Sequence, residues 1–147
     1  METTVTFRNL YSSEHGKACK YIREKVFVEE QGFIEEFDEI DEAAFFAVIY
    51  VDGEPAATGR CFPDKNVSDT YIIGRVAVMS KFRKRGLGER VMQMLEEAAL
   101  KNGADKFVLS SQLQARPFYE KCGYTATGDI YLDQHCPHIK MVKTMRF

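Results

Sequence analysis

The stretch from Tyr71 to Lys101 constrains this chain most. An apolar run, Tyr71 to Val78, leads through a basic segment with two glycines into a strongly amphipathic one. In the last part Leu87, Val91, Met94, Leu95 and Ala98 recur every three or four residues, while Glu89, Arg90, Gln93, Glu96, Glu97 and Lys101 occupy the opposite face. That period belongs to a helix with one buried stripe, and Asn102-Gly103 ends it. The apolar run reads as a central strand covered on both sides. A strand feeding such a helix through a short loop points to a sheet with helices packed on it.

The remaining elements fit that plan. Thr4 to Leu10 reads as a first strand, and Ser12 or Ser13 can cap a helix through Ala18, Ile22, Val26 and Phe27 that stops at Gln31-Gly32. Phe33 to Glu42 is acidic and aromatic without a period, so a loop or short irregular helix is expected. Phe45 to Val51 and Pro55 to Phe62 flank Asp52-Gly53, a pair suited to a tight hairpin. Pro63 to Asp69 reads as loop, Lys106 to Ser110 as a strand, and Ala115 to Lys121 as a short helix closed by Gly123. Tyr124 to Thr127 and Ile139 to Lys143 read as late strands. The order β-α-β-β-β-α-β-α-β-β predicts an α/β (α+β) fold: a mixed, mostly antiparallel central sheet flanked by helices. With no repeat, low-complexity tract or long linker, residues 1–147 read as a single domain.

Bulk properties exclude several function classes. The net charge of −2 argues against nucleic acid and against an anionic membrane surface as partners. Met1 to Leu10 lacks the basic-then-apolar pattern of a signal peptide, and no apolar run approaches the roughly 20 residues that cross a bilayer. Cys19, Cys61, Cys122 and Cys136 form no C-x-x-C pair and read as reduced thiols of a cytoplasmic protein. His135 and His138 invite a metal reading, but no neighbouring set completes a tetrahedral site, so no metal is expected.

The chemistry concentrates between the apolar strand and the amphipathic helix, in Lys81-Phe82-Arg83-Lys84-Arg85-Gly86-Leu87-Gly88-Glu89-Arg90. Glycines let backbone approach a ligand. The first N–H groups of a helix lack intrahelical partners and sit at its positive end, which suits a phosphate. The segment is neither a Walker loop nor a G-x-G-x-x-G fingerprint. On the residues alone, a phosphate cradle and a plain basic helix start fit equally well.

Arg83-Lys84-Arg85-Gly86-Leu87-Gly88 resembles the R/Q-x-x-G-x-G/A motif of the GNAT N-acetyltransferase superfamily, and Ala115 to Tyr124 resembles its A-x-x-F-Y-E-K-x-G-F segment. Val28-Glu29-Glu30-Gln31-Gly32 and Pro137-His138-Ile139-Lys140-Met141 are similar to the ElaA-like or YjcF-like branch. These anchors span roughly residues 20 to 143. The branch often carries a histidine after the acidic loop, where this chain has Phe45 and Phe46.

The resemblance implies a GNAT-like acyl-CoA N-acyltransferase fold and transfer of acetyl from acetyl-CoA to a primary amine of a small molecule. It implies coenzyme contacts from Val76, Ala77 and Val78 of a splayed strand, from Arg83, Lys84, Arg85, Gly86, Leu87 and Gly88, and from Phe118 and Tyr119, while Gln112, just past a strand end, fits a contact to the coenzyme, a contact to the acceptor or a helix cap. Tyr119 matches the family's general acid for the departing thiolate. Homodimers are common in the superfamily. A base is also needed, and residues 29 to 42 hold eight carboxylates, of which Asp41, abutting an apolar strand, is the first choice if burial raises its pKa. Arg60, Arg75, His138 and Asp41 are candidate acceptor contacts. Arg60 and Arg75 fit an anionic handle on the acceptor or pairing with the acidic loop equally well. An acyl-CoA-binding module without catalysis, or acetylation of a protein amine, are the alternatives.

Overall fold

The computed structural model describes residues 1–11, 13–34, 41 and 44–145. Seven strands form one sheet: β1 (Glu2–Phe7), β2 (Phe45–Val51), β3 (Glu54–Pro63), β4 (Thr70–Val78), β5 (Lys106–Gln112), β6 (Thr125–Asp133) and β7 (Cys136–Thr144), in the spatial order β1-β2-β3-β4-β5-β7-β6. Only β4 and β5 run parallel. Among the described residues three α-helices pack around it: α1 (Glu14–Arg23), α2 (Leu87–Leu100) and α3 (Arg116–Lys121). The order and type of these elements are those expected from the sequence.

The sheet is covered on both faces. Alternation in β2 sends Phe45, Ala47 and Ile49 toward α2, where they meet Val91, Met92 and Leu95. Phe46 and Val48 go the other way, onto Ala18, Cys19 and Ile22 of α1. Phe45 and Phe46, standing where the branch often has a histidine, are therefore core residues of opposite faces. The β2–β3 turn has Asp52 and Gly53 both at positive φ, 50° and 83°, as its tight geometry requires.

The first helix departs from expectation midway. Ser13 caps it, its hydroxyl accepting from the Gly16 amide at 3.4 Å. From Glu24 to Glu30, however, the chain follows a wider coil, in which the Gln31 amide donates to the carbonyl of Val26 at 3.1 Å. Such wide turns occur disproportionately at functional sites. Here the widening carries Gln31 and Phe33 toward β5 and β7. Strand boundaries also differ: β1 runs from Glu2 to Phe7, β5 runs on to Gln112, β6 continues well past Thr127 to Asp133, and β7 starts at Cys136.

Helix α1 lies almost on the preceding loop. A Cβ built at Gly16 would sit 1.8 Å from the Leu10 carbonyl oxygen. Gly16→Ala is therefore expected to cost about 3 kcal/mol, the upper end of overpacking penalties, and to lower Tm by about 6–12 °C in a thermal melt.

Candidate active site

The parallel pairing of β4 with β5 stops at Ile73 and Leu109, although β4 continues to Val78 and β5 to Gln112. Past that point β5 pairs only with β7, through to Gln112 opposite His138. The two central strands diverge and leave a gap in the sheet. Arg75, at φ 53°, marks the distortion in β4, where the register against β3 also shifts. Such bulges redirect a strand. A cleft of about 800 Å³ fills the gap and reaches both faces of the sheet.

On the α2 face the cleft meets the helix start. Gly86 precedes α2 at φ 76°, ψ 13°, and Lys84 is also left-handed, at φ 66°. The left-handed turn is available to Gly86 without steric cost. Gly86, Leu87, Gly88 and Glu89 line the cleft, and the first amides of a helix have no intrahelical partner. A Cβ at Gly86 would meet nothing within 4 Å, whereas one at Gly88 would lie 3.0 Å from the Phe118 ring. The loop thus has open space in front of Gly86 and ring contact at Gly88, and a helix start with open space before it can hold an anion on its backbone amides.

The basic side chains are less free than the sequence suggested. Arg83 donates two hydrogen bonds to the Glu30 carboxylate, both 2.7 Å, and its Nε donates to the Val78 carbonyl at 3.0 Å. The bond to Glu30 raises the Arg83 pKa further, and the bond from Arg83 holds Glu30 below the ordinary carboxylate range. Arg90 is engaged by Glu2, and Arg85 lies over the Phe82 ring, 5.5 Å from its centroid. Lys84 lines the cleft with no carboxylate partner among the described residues.

Phe118 and Tyr119 reach the same side from α3. The Tyr119 ring packs edge-on against Phe118 and Tyr124, at 5.0 and 6.2 Å between centroids. Burial, aided by the nearby Cys122 thiol, pushes its phenol pKa well up, so the hydroxyl keeps its proton. Val76 and Val78 also face α2, with Ala77 directed to the α1 side.

The α1 face of the cleft is different. Ser110, Gln112 and His138 share it by strand alternation and register, and Phe27, Phe33 and Phe62 add apolar walls. Gln112 donates to Gln31 at 2.7 Å, and Gln114 to Gln112. The Ile34 amide donates to Gln134 at 3.0 Å, and Gln134 donates back to the Ile34 carbonyl at 3.3 Å. The segment Gln31–Ile34 is thereby strapped from the first helix across to the β6–β7 hairpin.

Asp41 corrects the expectation of a base. It is buried, and its carboxylate accepts from Arg23 at 3.0 and 3.3 Å and from Arg60 at 2.8 Å. Burial works against its ionisation, but the bonds and charges of Arg23, then Arg60, prevail and hold it below the ordinary carboxylate range. A base needs the opposite shift and a free oxygen. Asp41 instead anchors Arg60, which borders the cleft with one face and the ion cluster with the other. Asp41 itself does not line the cleft.

Arg75 also lines the cleft. The other acidic residues of the 35–40 and 42 positions lie outside the described residues. Sequence reading missed Phe27, Phe33, Phe62, Ser110 and Gln134. Only Ser110 carried a usable signal, its two-residue spacing from Gln112 on one strand face. No group of three or more His, Cys, Asp or Glu gathers among the described residues.

Comparison with known proteins decides the family. A model described as "Acetyltransferase (GNAT) domain" matches residues 13–145. The chain belongs to the GNAT acetyltransferase family. The chain is 37% identical over 136 residues to YjcF of Bacillus subtilis (strain 168), named an uncharacterized N-acetyltransferase, covering 90% of this chain and 94% of that protein. A crystal structure of an acyl-CoA N-acyltransferase from Pseudomonas aeruginosa superposes with a TM-score of 0.85 at 26% identity, covering 98% of this chain and 100% of that one. That of Escherichia coli ElaA gives 0.86 at 23%, covering 97% and 99%, a likeness of fold. This GNAT chain is accordingly an acyltransferase, and its divergent β4 and β5 belong to the acyl-CoA N-acyltransferase fold. Among the described residues no helix is long and apolar enough to cross a membrane.

Proposed function

We propose that this enzyme moves the acetyl group of acetyl-CoA to the primary amine of a small molecule in the cytoplasm, by direct attack of nitrogen on the thioester. The observation carrying this reading is the gap beyond Ile73 and Leu109, which joins the glycine-bearing start of α2 to an aromatic and polar face beneath α1. Two substrates entering from opposite faces meet there in line. Alignment of that kind supplies much of the rate of a bimolecular reaction. Backbone amides of β4 beside the gap, no longer paired with β5, are suited to bind the pantetheine arm and the developing oxyanion.

The Gln31–Ile34 strap favours a small acceptor over a protein one. An extended peptide would have to cross the α1 face where Gln31 meets Gln112 and Ile34 meets Gln134. Four free thiols agree with a reducing compartment.

Tyr119 is the proton donor to the departing sulfur in this reading. Its raised pKa keeps it protonated across the usable pH range. Tyr119→Phe is expected to lower kcat about 100-fold, the modest end of general-acid effects, with acetyl-CoA affinity unchanged. Thiol release at saturating substrates and calorimetric titration separate the two quantities. The overall reading is tested by titrating the protein with acetyl-CoA and following thiol release with a panel of primary amines. Binding with amine-dependent release supports it; binding without release from any amine leaves a coenzyme-binding module; no binding sinks it.

A further inference from the structure

We infer that His138 is the proton acceptor for the incoming ammonium group, acting through its Nε2 atom. The inference rests on the amine-acetylation reading above and supplies the base that Asp41 does not provide. His138 is in β7, paired with Gln112 of β5 on one side and Tyr131 of β6 on the other. That register sets it three residues past the point where β4 and β5 part, beside the gap itself.

Three observations give the ring its role. First, alternation puts His138 on the α1 face with Ser110 and Gln112, away from Tyr119 on the α2 face. A base is wanted where the amine arrives and an acid where the thiolate leaves, and the two lie on those opposite sides.

Second, the tautomer is fixed. Nδ1 lies 2.9 Å from the Cys136 carbonyl, which can only accept, so Nδ1 carries the hydrogen and the neutral ring offers its lone pair at Nε2. Nε2 has no hydrogen-bond partner among the described residues, and the ring lines the cleft.

Third, the ring is held: it is buried, stacked on Tyr131 at 6.1 Å and met edge-on by Phe33 at 6.3 Å. The charged or titratable groups facing it are Tyr131 and Asp133 from β6, His135 behind Phe33, and Arg60 and Arg75 across the cleft.

The proton balance is simple. Nε2 takes one proton from R–NH3+, and the free amine attacks the thioester carbon. The C–N bond forms, the tetrahedral intermediate collapses and the C–S bond breaks. The second nitrogen proton replaces the one Tyr119 gives to sulfur, and the imidazolium returns its proton to water.

His138→Asn is the informative variant, because an asparagine amide can still donate to the Cys136 carbonyl while Nε2 is deleted. Two readouts apply, with acetyl-CoA binding of parent and variant as the control for folding. The first uses bromoacetyl-CoA. Nε2 beside the acyl group should displace bromide from its methylene, forming a C–N bond and leaving one coenzyme adduct on His138, absent in the variant. The second follows thiol release with 2-phenylethylamine, spermidine and glycinamide from pH 6 to 9. The variant should be about 100-fold slower at pH 7, with added imidazole restoring part of the rate. Adducts on a cysteine, or none despite bound acetyl-CoA, overturn the assignment, as does a variant that keeps parental rate and profile. If the parent binds acetyl-CoA but acetylates none of the three amines, labelling alone decides. Failure of the parent to bind acetyl-CoA overturns instead the function on which the inference rests.

Discussion

Asp41→Ala is expected to destabilise the protein by about 3–5 kcal/mol, the range for removing one member of a buried ion cluster. In a chain of 147 residues that lowers Tm by about 10–15 °C. Asp41 and Arg23 are each 1% exposed, and Arg60 is 5% exposed. The single carboxylate accepts three guanidinium hydrogen bonds. Removing it takes from two buried arginines the counter-charge they share, whereas an exposed pair such as Lys25–Glu29 contributes little. The pH dependence has a definite sign. Because the folded pKa of Asp41 is depressed, its contribution is complete above the ordinary carboxylate value, about 3.9, and is lost as pH falls through the lower folded value. The parent should therefore lose stability steeply in acid, and the variant, already without that contribution, less so. Chemical denaturation at pH 7 and pH 3 measures both. A loss below 1 kcal/mol at pH 7 would mean that water reaches the cluster and solvates the arginines.

This residue also shows where sequence reading stops. The apolar strand that Asp41 abuts points to burial, and the residue is buried. Burial alone would have raised its pKa, but the sign is decided by Arg23, 18 positions earlier, and Arg60, 19 later. Nothing local in the sequence joins these three. The helix from Leu87 and the hairpin at Asp52-Gly53 were legible because their signals, a 3.6-residue period and a positive-φ dipeptide, lie within a few residues. The widened coil at Glu24–Glu30 was not, since Val26 and Phe27 satisfy an ordinary helical stripe equally well. Likewise the basic loop was visible as charge, but the capture of Arg83 by Glu30, 53 positions away, is a tertiary event. The gap between β4 and β5 has no sequence signature of its own; it came from the family resemblance, and the register makes it physical.

Gly86→Val is expected to weaken acetyl-CoA binding at least 100-fold, while Arg83→Ala weakens it only about five- to tenfold. The asymmetry follows from how each residue is held. Gly86 adopts φ 76°, where a β-branched residue is a steric outlier. Valine costs about 1–2 kcal/mol in that conformation, and escaping it rotates the amides of α2's first turn away from the cleft. Its side chain would also enter the open space in front of Gly86. Losing two or more charge-assisted bonds at 1.5–3 kcal/mol each accounts for the 100-fold effect or more. Arg83 is different because its guanidinium already holds Glu30 and the Val78 carbonyl. To serve a phosphate it must release a carboxylate, so most of its charge is spent before the coenzyme arrives. Calorimetric titration of both variants at two salt concentrations tests this. If backbone amides do the binding, the parent's affinity changes little between low and moderate salt, because a desolvated helix end is screened less than surface side chains. The reverse ranking, with Arg83→Ala abolishing binding and Gly86→Val mild, would make the site one of surface charge and the glycine turn merely the start of a helix.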